Sequence, residues 1–235
     1  MRPASIARKT HKWLALLIGI QALIWALSGL YMVVVPIEII HGDHFVHLHG
    51  PQQPLALDRV RVDINQVRQA YGDIRSVRLK SLLNDPHYVV EHGGGVTLVN
   101  AVTGTERPPL SGREAEDVAR TLYKGKAAVG SVTLLAEAPS EIRGRAAPVW
   151  QVRFEGWNDH TLYLSPVTGD LLARRHNLWR TFDFVWMFHI MDYAEREDVN
   201  NPLVRVATIA ASIVMISGVW LLFYSFRRRR AAAAR

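Results

Sequence analysis

His176 to Phe226 reads HNLWRTFDFVWMFHIMDYAEREDVNNPLVRVATIAASIVMISGVWLLFYSF, and it decides the fold. It begins as an aromatic, largely apolar helix, passes through a charged turn, and ends in an uncharged run against Arg227 to Arg230. Arg205 and Arg227 bracket 21 residues without a charge. An apolar helix of about 20 residues spans a bilayer. Asn201 and Pro202 suit its start, because asparagine caps and proline at the first helical position sacrifices no hydrogen bond.

A second span lies near the other end. Trp13 to Val35 is 23 residues without charge, about 34 Å as a helix. Its apolar run is too long for a secretory signal, and Pro36-Ile37-Glu38 is no small-residue cleavage site, so an uncleaved anchor is expected. The net charge is +7 with a pI near 10.0, but the excess is terminal. Arg2, Arg8, Lys9 and Lys12 at one end and five arginines at the other leave 19 basic against 21 acidic residues between them, a net of −2. Charge placed this way orients membrane spans and argues against nucleic-acid binding. Both termini are expected in the cytoplasm and residues 36–204 across the membrane. The absence of cysteine excludes disulfides, thiolate metal sites and thioether-attached haem.

The intervening segment repeats itself. Asp63 and Ser111 each open a short helix, INQVRQAYG and, through the capping box Ser111 to Glu114, AEDVARTLYKG. Ser76-Val77-Arg78-Leu79 and Ser131-Val132-Thr133-Leu134 follow, then Pro86-His87-Tyr88-Val89-Val90 and Pro148-Val149-Trp150-Gln151-Val152. Val-Thr-Gly closes each copy, at Val102 to Gly104 and at Val167 to Gly169. The pattern predicts two units of one helix and three antiparallel strands, packed together because one alone buries little core. Extra residues in the second copy fall at Arg143 to Arg145 and Trp157 to Asp159.

This helix and strand order, ending in a Thr-Gly turn, resembles the PepSY module, and the whole chain is similar to a small PepSY-associated transmembrane protein. The family's first span runs Arg-Lys-x-His-Lys/Arg-Trp, then Gly, then Ser/Thr-Gly-Leu. Here Arg8-Lys9-Thr10-His11-Lys12-Trp13, Gly19 and Ser28-Gly29-Leu30 stand at those places. Trp186 to Tyr193, followed by Ser217-Gly218-Val219-Trp220, resembles the second span with its preceding histidine. The expected architecture is an α+β periplasmic domain of two PepSY-like helix plus three-strand antiparallel units, with two transmembrane helices and an aromatic pre-membrane helix. The expected boundaries are 1–12 cytoplasmic, 13–35 first span, 36–57 histidine-rich connector, 58–110 and 111–176 the two repeats, 177–194 aromatic helix, 202–226 second span and 227–235 cytoplasmic tail.

Ala15, Gly19, Ala22, Ala26 and Gly29 share one face of the first span, with His11 a turn earlier on the same line. Small residues admit a neighbouring helix or a flat cofactor. Leu178, Phe182, Val185, Trp186, His189 and Tyr193 form a stripe at helical spacing in the aromatic helix. A histidine on such a face is either paired with a polar neighbour or ligating something. The larger four-span relatives include membrane reductases of ferric-siderophore uptake, and that resemblance implies b-type haem at His11 and His189. The two residues lie on opposite membrane sides, so one chain cannot close a bis-histidine site, and a homodimer with one haem per side is expected.

Two functions follow from the resemblance. One is electron transfer across the inner membrane of a bacterium toward a ferric siderophore or metal, as a haem-dependent reductase component. The other is a non-enzymatic PepSY module that binds a periplasmic partner such as a peptidase or receptor. His41, His44, His47 and His49 stand close together in HGDHFVHLHG. Imidazoles at this density suit a divalent metal, yet no regular structure gathers all four, and the His-Gly-Asp element with Asp43 favours a structural role. No nucleophile and base pair, phosphate loop or dinucleotide motif is present, and Gly93 to Gly95 reads as a turn.

Overall fold

The computed structural model describes residues 3–47 and 55–233, and side chains only for 9, 11–47 and 55–222. His49 and the side chains of Arg227 to Arg230 lie outside the described residues. The chain divides into a helical unit, Met1–Pro36 with Thr181–Arg235, and an α+β unit, Ile37–Arg180.

The helical unit contains α1 (Pro3–Val34). Within it His11–Val34 is long and apolar enough to cross a membrane, as is Pro202–Leu222 of the last helix. The outward faces fit the solvent these helices need. Leu17 is 65% exposed and Ile216 is 70% exposed, with apolar neighbours on the same faces. Rows of exposed leucine and isoleucine suit hydrocarbon, where every backbone group must be bonded within its own helix.

The α+β unit opens with α2 (Ile37–His41) and continues through α3 (Ile64–Ala70), β1 (Ile74–Leu82), β2 (Asp85–His92), β3 (Gly95–Asn100), α4 (Gly112–Leu122), β4 (Val129–Leu135), β5 (Val149–Phe154), β6 (Thr161–Leu164) and β7 (Leu171–Arg175). The strands form two antiparallel sheets, β1-β2-β3 and β4-β5-β6-β7. Helices α3 and α4 each start with a reciprocal capping box, Asp63 with Gln66 and Ser111 with Glu114, satisfying two otherwise orphaned N–H groups apiece.

The duplication is reproduced in strand register. Val77 faces Val90 and Leu79 faces Tyr88; Val132 faces Val152 and Leu134 faces Trp150. Each first strand has its irregularity at the same place, between Ile74 and Ser76 and between Val129 and Ser131. Gly104 and Gly169 both take positive φ, 77° and 68°, in the closing turns, a conformation that costs glycine nothing.

The second copy departs from the expected three strands, because it adds β7. In the first copy the equivalent chain manages only a single bridge, Val99 to Glu106. Pro108 and Pro109 follow there. Lacking N–H groups, they cannot extend a ladder, whereas Leu171 to Arg175 contains no proline and pairs with β6.

One core joins the two copies. Leu82, Val89 and Leu98 of the first sheet meet Ala115, Val118, Ala119 and Leu122 of α4 and Val152, Phe154, Leu162 and Leu164 of the second sheet. The other face of the first sheet, Tyr88, Val90 and Val99, packs with Val67 of α3. Lys80 Nζ adds a charged link to Asp170, at 2.6 Å, and donates to the Thr168 carbonyl at 2.7 Å. Burial raises the Asp170 carboxyl, but the Lys80 bond and charge outweigh it and hold it below the usual range.

Candidate cofactor site

The aromatic helix, α5, spans Asn177–Ile190 and stops four residues short of the expected end at 194. Met191 adopts φ 56°, and the Asp192 carboxylate then collects the N–H groups of Ala194, Glu195, Glu197 and Asp198. These bonds, led by that of Asp198, bring its carboxyl down to about 2. Tyr193, expected on the helical stripe, therefore lies beyond the helix. Asn201 closes the loop: its Nδ2 donates to the Ile190 carbonyl and its Oδ1 caps Val204 at 3.0 Å, starting α6 (Pro202–Ala233).

Two histidines are held by these helices in a reciprocal way. His11 of α1 sets its Nδ1 2.8 Å from Ser217 Oγ of α6. His189, in the last turn of α5, sets its Nδ1 2.8 Å from Ser28 Oγ of α1. Each serine is followed by a glycine beneath the ring. A Cβ on Gly218 would stand 3.7 Å from His11 Cε1, and one on Gly29 the same distance from His189 Cε1. The Ser-Gly pair common to both spans is thus a seat for a histidine.

His11 and Ser28 are 17 residues apart on one helix, about 26 Å along its axis. The structure therefore does not bring His11 and His189 together; it sets them at opposite ends of the α1 and α6 pair. Neither Nε2 has a hydrogen-bond partner among the described residues. A Cβ added to Gly19, midway along α1, would meet nothing within 4 Å, so the centre of the small-residue face is open in the single chain.

Around His189 the walls are aromatic. The Trp186 ring lies nearly parallel to it, 17° between planes with centroids 6.2 Å apart, and Trp25 Nε1 donates to the His189 carbonyl at 2.9 Å. Trp25, Trp186, His189, Ile190, Val199, Val204 and Thr208 line a groove of about 530 Å³. An imidazole with a free nitrogen in an apolar, aromatic groove fits a haem, whose iron takes neutral histidine and whose macrocycle takes apolar walls. Gln21 Nε2 and Tyr31 OH are buried in the same unit without partners among the described residues.

The histidines of the connector are arranged differently. His41, His44 and His47 are exposed. Arg174 of β7 donates to the His41 carbonyl and pairs with Asp43, so the His-Gly-Asp element docks this segment onto the second sheet. Phe45 stacks on His160 at 4.2 Å. The His44 ring stands edge-on to His176, their centroids 6.0 Å apart. His160 has both nitrogens engaged, by Tyr123 OH and Asn158. His176 is 1% exposed, with Nε2 3.1 Å from the Ile40 carbonyl. Burial pushes His160 down and His176 down to about 4. No group of three side chains able to hold a metal occurs among the described residues.

Sequence reasoning missed Ser28 and Ser217 as histidine partners, although both stand in the quoted motifs. Each span carries one serine before a glycine, a signal visible once two histidines need seats. It also missed His160 and His176, whose neighbours come from distant parts of the chain.

No curated protein and no solved structure matches the chain. A family model described as the PepSY-associated TM region matches residues 8–235. With two apolar helices of spanning length and a match over nearly its whole length, the chain belongs to the PepSY-associated transmembrane family.

Proposed function

We propose that this membrane protein binds b-type haem as a homodimer through His11 and His189 and passes electrons across the inner membrane of a bacterium, in support of ferric-siderophore or metal reduction. The observation that carries the reading is the placement of the two histidines. They stand at opposite ends of one pair of apolar helices, each engaged through Nδ1, with no protein partner on Nε2 among the described residues. Each chain then supplies one imidazole at each end, and a two-fold partner supplies the second. The open face at Gly19 leaves room for the close helix approach that such a dimer needs.

In this reading the helix-spanning region holds both termini in the cytoplasm, and the α+β unit, read as two PepSY-like modules, faces the periplasm. Bound haem supplies reversible one-electron transfer. The chain's own contribution is to hold one imidazole at each end, to wall His189 with Trp25 and Trp186, and to exclude water with its apolar groove.

A second reading, a non-enzymatic module that docks a periplasmic protein such as a peptidase or receptor, draws on Trp157. This residue is 88% exposed at the tip of the β5–β6 hairpin, and tryptophan is a frequent anchor of protein interfaces.

The absorption spectrum of the full chain purified in detergent tests the first reading. A Soret band is expected, with haem content reduced at least two-fold by His11→Ala and by His189→Ala, and a dimeric mass in the micelle. A colourless protein from haem-replete cells overturns it. Capture of one periplasmic protein that is lost on Trp157→Ser then favours the second.

A further inference from the structure

The two serines do more than fill space beside the histidines, because each hydroxyl also reaches a carbonyl of its own helix. Ser28 Oγ lies 2.7 Å from the Ile24 carbonyl and 3.2 Å from that of Trp25. Ser217 Oγ lies 2.9 Å from the Val214 carbonyl. A carbonyl oxygen only accepts, so a hydroxyl directed at it donates back into its own helix. What it then offers the imidazole is a lone pair. A ring nitrogen 2.8 Å from that lone pair must carry a proton, since two lone pairs at this distance repel.

We infer that Ser217 and Ser28 are positioning residues that hold His11 and His189 as their Nδ1–H tautomers and so present Nε2 as the free, ligating nitrogen. The ligating role of Nε2 rests on the haem reading, whereas the tautomers are set by hydrogen bonds within the chain itself. Fixing the tautomer of a ligand histidine through its other nitrogen also fixes ring orientation and raises the basicity of the ligating atom. Burial of Ser28, 4% exposed, removes water as a competing partner for its ring. The glycine after each serine lies beside the ring, close enough that an added Cβ would touch Cε1 at 3.7 Å, an ordinary contact.

The test uses the full chain, labelled with 15N-histidine, in detergent at pH 8 and free of haem, with each ring's tautomer read from long-range nitrogen–proton correlations. His11 and His189 are expected mainly as Nδ1–H. Ser217→Ala should lower the Nδ1–H fraction of His11 several-fold and leave His189 unchanged. Ser28→Ala should do the converse, while Ser28→Thr and Ser217→Thr, which keep the hydroxyl, restore the original signals. The other eight histidines report whether each variant is folded. Wild-type rings found mainly as Nε2–H, or alanine variants with unchanged tautomers in a folded chain, would overturn the inference. The absorption spectrum of a haem-replete preparation is read in parallel. Correct tautomers without a Soret band sink only the haem reading; a Soret band with the wrong tautomers sinks only this one.

Discussion

Gly42 turns the chain directly under the Phe45 ring. Its φ is 75°, and a Cβ at this position would run into Cε1 and Cζ of the Phe45 ring. The turn sends Phe45 into the shared core, where it is 4% exposed, while Asp43 faces Arg174. Gly42→Ala is therefore expected to destabilise the α+β unit by about 2 kcal/mol or more, combining backbone strain with displacement of an aromatic core residue. Thermal unfolding followed by tryptophan fluorescence checks it. An unchanged midpoint would mean that the turn relaxes freely.

Acid should loosen the same region. His176 titrates at about 4 in the folded chain because it is buried, against about 6.5 when unfolded. Its folded pKa is depressed, so the unfolded state binds more protons between these values, and stability falls as pH drops from about 6.5 toward 4. The shift corresponds to roughly 3 kcal/mol. His160 and His87 are also pushed down by burial and add in the same direction. Unfolding midpoints at pH 7 and pH 5 should differ, and His176→Gln should flatten that difference. An equal slope in wild type and variant refutes the assignment.

The shared core gives a graded prediction. Leu162 of β6 is fully buried in the core shared with α4, while Leu134 on β4 is 50% exposed. Leu162→Ala should cost about 2–5 kcal/mol, and Leu134→Ala should stay near ±0.5 kcal/mol. Denaturant unfolding of the two variants measures both; comparable losses would mean that the exposed face of β4 is covered.

The glycines beneath the histidine rings tolerate little growth. Gly218→Ala places a methyl group 3.7 Å from His11 Cε1, an ordinary contact, and should leave the His11 nitrogen signals and any haem content nearly as in wild type. Gly218→Leu should push the ring off Ser217 and collapse its Nδ1–H signal. If leucine is as mild as alanine, the ring does not rest on this glycine.

Much of this architecture was legible because it rests on local chemistry. Uncharged runs of more than 20 residues, capping boxes at Asp63 and Ser111, and the repeated Ser-Val-x-Leu and Val-Thr-Gly elements each dictate structure within a few residues. The strand β7 was not legible from the repeat, since the first copy carries prolines where the second continues its ladder. The end of α5 was hidden in Asp192, an acid whose role appears only when four N–H groups converge on it. The reciprocal histidine seats depend on which turn of α1 lies beside which turn of α6, and on α5 folding back to α1. No window of sequence contains that information, although every residue involved stands in a recognisable motif.

The crossed pairing of His11 with Ser217 and of Ser28 with His189 has a mechanical consequence. Both seats include a residue of α1, so α1 cannot slide by one turn, about 5.4 Å, without vacating both together. The two ends of the bundle are thus latched by a single rigid rod. A lesion that shifts α1 at one end of the bundle is transmitted to the other, and neither end can be dismantled alone by such a movement.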